Sequence, residues 1–258
     1  MMNDSRMPAV FFGHGSPMNA IEDTKFSRTW RSLGETLPRP RAIVAISAHW
    51  ALDHMAVTAD PKPRTIHDFS NFPKALYEVQ YPAPGDPALA REVAQLLAPL
   101  PVTLDTRWGF DHGSWSILRH VYPKADVPLI EVSVDETKPP SFQFEVGAKL
   151  APLRDQGVLV MGTGNIVHNL MHVHFGSPSA FEWAERFDAF VADCIARGDT
   201  GGLVSYQQHP DAALAAPDYE HFAPVLSLAG TRQGDEPVSF FGEGIEAGSI
   251  SMRGFRVG

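Results

Sequence analysis

The chain has 258 residues, 44% hydrophobic and 20% charged, which is enough apolar material for a sizeable core and excludes extended disorder. Its 21 Lys and Arg against 30 Asp and Glu give a net charge of −9 with no basic run, which argues against nucleic acid or an anionic membrane as a partner. A single cysteine, Cys194, excludes an intrachain disulfide and any thiolate-rich metal site, whereas 11 histidines point to nitrogen ligation or acid–base chemistry.

Apolar, β-branched runs bounded by Gly, Pro or polar residues predict strands at Ala9–Phe12, Ala42–Ile46, Met55–Thr58, Val102–Leu104, Val127–Val134 and Val158–Met161. Between them, amphipathic spacing predicts helices over Asp86–Leu97, Trp115–Val121, Phe142–Leu153 and Ala180–Ala196. Alternation of this kind implies an α/β fold: a single domain over 1–258 with a central, largely parallel (mixed) sheet flanked by helices. The tail differs, because Pro237–Phe241 and Ser249–Phe255, joined across Gly242, Gly244 and Gly248, read as a C-terminal antiparallel hairpin at an edge. Runs such as AIVAI and VLVM are too short to span a bilayer, and the start MMNDSRMPAVFF lacks the pattern of a secretory leader, so a cytoplasmic protein is expected.

Strand ends in an open α/β sheet are where side chains converge on a ligand, and three histidines fall there. His14 follows the first strand between Gly13 and Gly15, His49 follows Ile46 by three residues, and His168 sits in the first turns of a helix expected after Val158–Met161. If these strands are parallel, the three rings share one edge, and clustered neutral imidazoles suit Zn(II), Fe(II) or Cu(II). His112, between Asp111 and Gly113 in a loop before the Trp115 helix, reads as a proton donor or a helix-start residue, with Asp111 or Ser114 as the N-cap. His221 has no strand to place it. His54, His67, His120 and His209 read as ordinary hydrogen-bonded residues. His168 and His172 have the i, i+4 spacing of an H-E-x-x-H site, but Asn169 stands where the Glu belongs.

No G-x-S-x-G or P-loop occurs, and neither Gly13–Gly15 nor Gly162–Gly164 completes G-x-G-x-x-G, which removes esterase, P-loop and Rossmann readings. Gly162 and Gly164 read as positions of close backbone packing. Trp50, Phe69, Phe72, Trp115 and Phe222 adjoin the histidine segments and could flank an aromatic ring or simply pack the core.

In order along the chain stand Gly13-His14-Gly15-Ser16-Pro17-Met18, Ser47-Ala48-His49-Trp50, Ile66-His67-Asp68-Phe69, Tyr81-Pro82-Ala83-Pro84-Gly85, Asp111-His112-Gly113-Ser114-Trp115, Gly164-Asn165-Ile166-Val167-His168-Asn169-Leu170 and Glu220-His221-Phe222. This series resembles the class III extradiol ring-cleavage dioxygenases, in particular the DOPA 4,5-dioxygenase-like branch, from about residue 9 to the Ser249–Arg253 tail. The resemblance implies one divalent ion on His14, His49, His168 and His221, with His112 beside it as an acid or base. In the wider superfamily a Glu completes the ligand set and the residue matching His168 is a base, so His168 is implied as either a fourth ligand or a base that swings free.

Cleavage of a catechol by O2 calls for Fe(II) with open positions, a base and an acid, which on this resemblance are His168 and His112. Zn(II) is expected in purified protein. A zinc-dependent hydrolase and a non-catalytic, partner-binding module on the same fold stand as rival readings. The expected partners are a small catechol and O2, and the chain is expected as a monomer or homodimer.

Overall fold

A computed structural model describes residues 6–174, 176 and 179–258, so the first five residues of the chain start read above lie outside it. In chain order the strands are β1 Ala9–Gly13, β2 Ala42–Leu52, β3 Met55–Thr58, β4 Val102–Asp105, β5 Leu129–Asp135, β6 Val158–Gly164, β7 Val238–Phe241, β8 Ile245–Glu246, β9 Ile250–Ser251 and β10 Gly254–Val257. The helices are α1 Lys25–Thr36, α2 Lys74–Tyr77, α3 Pro87–Leu96, α4 His112–Val121, α5 Pro140–Leu150, α6 Glu182–Arg197, α7 Thr200–Val204, α8 Ala212–Ala215 and α9 Tyr219–Gly230.

Eight strands form one sheet in the order β4-β3-β5-β2-β6-β1-β10-β7. The central four, β5-β2-β6-β1, are mutually parallel, as their unbroken apolar runs require when both faces are covered. Alternation along each strand divides the core in two: Ala9, Phe11, Val44 and Val160 face α3, α5, α6 and α9, while Val10, Phe12, Ile43 and Leu159 face α1 and α4. Among the described residues no helix is long and apolar enough to cross a membrane.

The tail is antiparallel, as expected, but shifted: β7 pairs with β10, register Phe241 to Gly254, and β10 pairs with β1, while β8 and β9 form a small ribbon in between. The other edge also reverses, since β3 runs against β5 and carries β4 with it. Helix α1 was not among the expected elements. Its signal is present in Thr24 and Ser27, which form a capping box, and in Phe26 and Trp30, which it buries.

The helix expected at His168 is corrected. After β6 the chain runs irregularly through Asn165–Asn169 because its amides are taken by distant carbonyls: Asn165 by His221, His168 by Ala215 and Asn169 by Ser249. These bonds occupy donors that a helix would need. The i, i+4 relation of His168 and His172 therefore brings no two rings onto one helical face, and His172 packs instead against Phe181 and Trp183.

Candidate metal centre

As expected, β1, β2 and β6 are parallel and end side by side, with Gly13 opposite Gly164 and Ser47 opposite Thr163. His14 follows β1 directly. His49 lies inside β2 rather than beyond it, in an irregularity between Ile46 and Ala51 where pairing with β5 lapses, and such a bulge re-aims side chains. His168 is held by a bridge to Ile250, and Ser251 donates its amide to Val167. The tail and the β6 loop thus brace each other.

Two helices complete the ring of histidines. His112 opens α4, whose start is capped by Asp111 accepting from the Ser114 amide, and Ser47 Oγ donates to Asp111 at 2.7 Å, tying the helix start to β2. His221 lies in the first turn of α9, whose backbone passes so close to β6 that the His221 carbonyl accepts from the Asn165 amide at 2.9 Å. Spacing gave no hint of this position, since it arises from the packing of α9 over Gly162 and Gly164.

Ring centroids of His14 and His49 stand 4.9 Å apart, His49 and His112 4.0 Å, and His221 lies 5.5 Å from His14 and 5.2 Å from His49. One ring nitrogen from each of His14, His49 and His112 lies within 4.8 Å of the other two. His168 and His221 stack at 3.5 Å with planes 4° apart. An ion in the plane of one of these two rings is out of the plane of the other, so they cannot both ligate it as placed.

Tautomers follow from partners. Thr163 spends its one hydroxyl hydrogen on the Gly113 carbonyl at 2.8 Å, so at its 3.0 Å contact with His14 Nδ1 it accepts, leaving Nε2 of His14 as a lone pair. His49 turns Nδ1 toward Asp68 at 3.2 Å, which likewise leaves its Nε2 free of hydrogen. The two Nε2 atoms are 3.1 Å apart, close to the roughly 3.3 Å edge of a tetrahedron with metal–nitrogen bonds of about 2.05 Å. Two lone pairs at this distance repel each other, and a cation turns the repulsion into ligation. The Nε2 of His221, whose ring lies 5.2–5.5 Å from those of His14 and His49, is buried with no partner among the described residues. All-nitrogen donors of this kind suit a divalent transition metal.

Burial, followed by mutual repulsion with the neighbouring rings, holds His14 and His49 well below the ordinary histidine range and His168 at about 2, so all three are neutral donors or acceptors. Burial, together with the charge of Asp68, also raises Asp111 to about 6, and burial together with the charge of Asp111 holds Glu131 well above the ordinary carboxylate range.

The depressed His168 value has a thermodynamic sign. Unfolded, the ring takes a proton near its ordinary value of 6.5, and folded it does not until about 2, so its contribution is complete above 6.5 and is lost as pH falls below. In metal-free protein, His168→Asn is expected to lose about 2 kcal/mol less stability than the parent between about pH 7 and about pH 5, measured by urea melts. Equal losses would disprove the buried neutral ring.

The histidines read as ordinary do find ordinary partners: His54 meets Asp53, His67 the Val79 carbonyl, His120 the Asn19 carbonyl and His209 the Asp211 amide. Of the flanking aromatics, Trp50, Trp115 and Phe222 are buried in packing, while half-buried Phe69 meets the His112 ring edge-on at 5.4 Å and continues to Phe72. Sequence reasoning gave no role to Asp68. Both of its oxygens touch His112, and the available signal was its place in the Ile66-His67-Asp68-Phe69 segment of the resembling series.

A sheet parallel at its centre, with clustered histidine nitrogens able to hold a metal ion at its strand ends, defines an α/β protein with a candidate metal centre. The match to the family of the catalytic LigB subunit of aromatic ring-opening dioxygenases runs over residues 8–252, so the chain belongs to that family and is a class III extradiol ring-cleavage dioxygenase. It is 49% identical to the 4,5-DOPA dioxygenase extradiol of Escherichia coli K12, over 100% of this chain and 97% of that protein. It is 36% identical to the protein of the same name from Beta vulgaris, over 86% of this chain and 85% of that one. A crystal structure of an uncharacterized Escherichia coli K12 protein superimposes with a TM-score of 0.87 at 44% identity, covering 98% of this chain and 100% of that one.

Proposed function

We propose that the protein opens the ring of an L-DOPA-like catechol with O2 to give a ring-opened semialdehyde, using one divalent ion held by His14, His49 and His221. The observation that carries this reading is the pair of facing Nε2 lone pairs 3.1 Å apart, with the ring of His221, whose buried Nε2 has no partner among the described residues, 5.2–5.5 Å from theirs. When bound, Fe(II) supplies the electron exchange between catechol and O2 that Zn(II), which has no redox chemistry, cannot. Zinc is nonetheless the ion expected in protein purified without added iron.

The chain's own residues then manage protons and orientation. His168 is the base for the second phenolic proton: its Nδ1 is buried and unpartnered, and the negative charge of a bound catecholate offsets the desolvation that keeps the ring neutral. Its ring joins the ligand set as a fourth donor only after turning away from His221. His112 has Nδ1 bonded to Asp68 at 2.8 Å, so Nε2 is the nitrogen that meets substrate and returns a proton to the departing oxygen. Phe69, in T-shaped contact with His112, is the aromatic side chain that would flank the substrate ring.

The test is anaerobic reconstitution with Fe(II), then L-DOPA under air. A yellow semialdehyde forming with one O2 consumed per catechol is expected, by absorbance and oxygen electrode. No product from L-DOPA or from a broad catechol panel, with Zn(II)-dependent hydrolysis in its place, would overturn the reading.

A further inference from the structure

Asp68 lies 44 residues from His112 in sequence, in a loop fastened on both sides. The Trp115 indole donates to the Ile66 carbonyl at 2.7 Å, the Ile66 amide donates to Phe110, and His67 bonds the Val79 carbonyl at 3.0 Å. The carboxylate so placed is half-enclosed, and its two oxygens have different tasks. Oδ1 accepts the His112 main-chain N–H at 2.9 Å, and Oδ2 accepts from His112 Nδ1 at 2.8 Å. The same Oδ2 stands 3.2 Å from His49 Nδ1. One oxygen therefore faces the inner nitrogens of two site histidines whose rings are 4.0 Å apart.

We propose that Asp68 is the positioning residue that sets the tautomer and aim of both rings, directing Nε2 of His112 at substrate and Nε2 of His49 at the ion. The inference rests on the assignment of His49 as a ligand and His112 as the proton donor. Its physical content is that an anion at both Nδ1 atoms keeps hydrogen there. Each Nε2 is thereby turned away from Asp68 and aimed into the site. The main-chain contact is a separate, structural task, since α4 already has Asp111 as its cap.

Asp68→Asn separates the two tasks. The amide oxygen still accepts the His112 N–H, while an NH2 group replaces Oδ2 and can no longer accept from either ring. At saturating Fe(II), kcat for L-DOPA is expected to fall about 10²- to 10⁴-fold with KM within about threefold, because Asp68 meets the acid and not the substrate. Zn(II) affinity, read without turnover by competition with a chromophoric chelator, is expected to fall about 10- to 100-fold. In the His112→Phe background the affinity loss should persist while the additional kcat loss disappears.

Parental kcat and Zn(II) affinity in Asp68→Asn would overturn the proposal, as would a raised KM at unchanged kcat, which would make Asp68 a substrate contact. Should Asp68→Asn not fold, Asp68→Glu keeps the charge and displaces the oxygens by one methylene. That variant is expected to lose kcat with a smaller loss of affinity, and parental kcat in it would overturn the proposal. If the unsubstituted protein opens no catechol, the functional reading fails by itself, and the Zn(II) competition still decides whether Asp68 sets His49.

Discussion

His112→Phe is expected to lower kcat on L-DOPA by at least about 10³-fold while the protein retains one equivalent of metal. Phe fills the volume of the imidazole and keeps the edge contact with Phe69, now 5.4 Å from the His112 ring, so the change removes the nitrogens and little else. The result discriminates between two ligand sets. By distance alone His14, His49 and His112 form a compact trio, with ligand atoms within 4.8 Å of one another. Hydrogen bonding assigns them differently. His112 is already anchored to Asp68 through ring and main chain, whereas the buried His221 Nε2 has no partner among the described residues and would gain one from an ion. Elemental analysis of the variant alongside oxygen uptake checks the prediction. Loss of metal together with turnover would make His112 the third ligand and leave the role of His221 to be reassigned.

The strands that place the site were legible because their apolar, β-branched runs are buried on both faces of the sheet, where local pattern and tertiary environment agree. His14 was legible for the same reason, as the residue after such a run between two glycines. The environment of His168 was not. Its sequence allows a helix, and the helix is lost only because His221, Ala215 and Ser249 offer carbonyls from elements 47 or more residues away. His49 shows a milder form of this: the run predicts where β2 begins, while the bulge that aims the ring depends on the pairing with β5. His221 was supplied by family resemblance and not by periodicity, and Asp68 stood in the same resembling series without a role. Both residues act through packing between elements that one sequence does not reveal. Gly162 and Gly164, on which the His221 helix packs, were read as sites of close backbone packing, but the element approaching β6 is α9 and not a helix following the strand.

That close approach makes Gly164→Ala the strongest test of how the metal centre is assembled. Gly164 has no need of a glycine-only backbone conformation. What it needs is space, because a Cβ there would lie 2.3 Å from the His221 carbonyl oxygen, a backbone atom that cannot rotate away. Methyl insertion must therefore push the first turn of α9 off the sheet. The Asn165 N–H to His221 bond of 2.9 Å stretches, and the His221 ring withdraws from His14 and His49. Overpacking of this kind costs about 1–3 kcal/mol, and a ligand displaced by about 1 Å costs on the order of 10²-fold in function. Zn(II) affinity and kcat should thus fall together by about 10²-fold in a protein that still melts cooperatively. Gly157→Ala is the matching control: its φ of +74° makes alanine strained, yet nothing stands within 4 Å of the new Cβ. It is expected to cost about 1 kcal/mol through the backbone alone and to leave metal affinity untouched. If Gly164→Ala binds Zn(II) as tightly as the parent, then His221 is not held at the ion by α9 packing on β6, and the third nitrogen must come from a ring that this contact does not control.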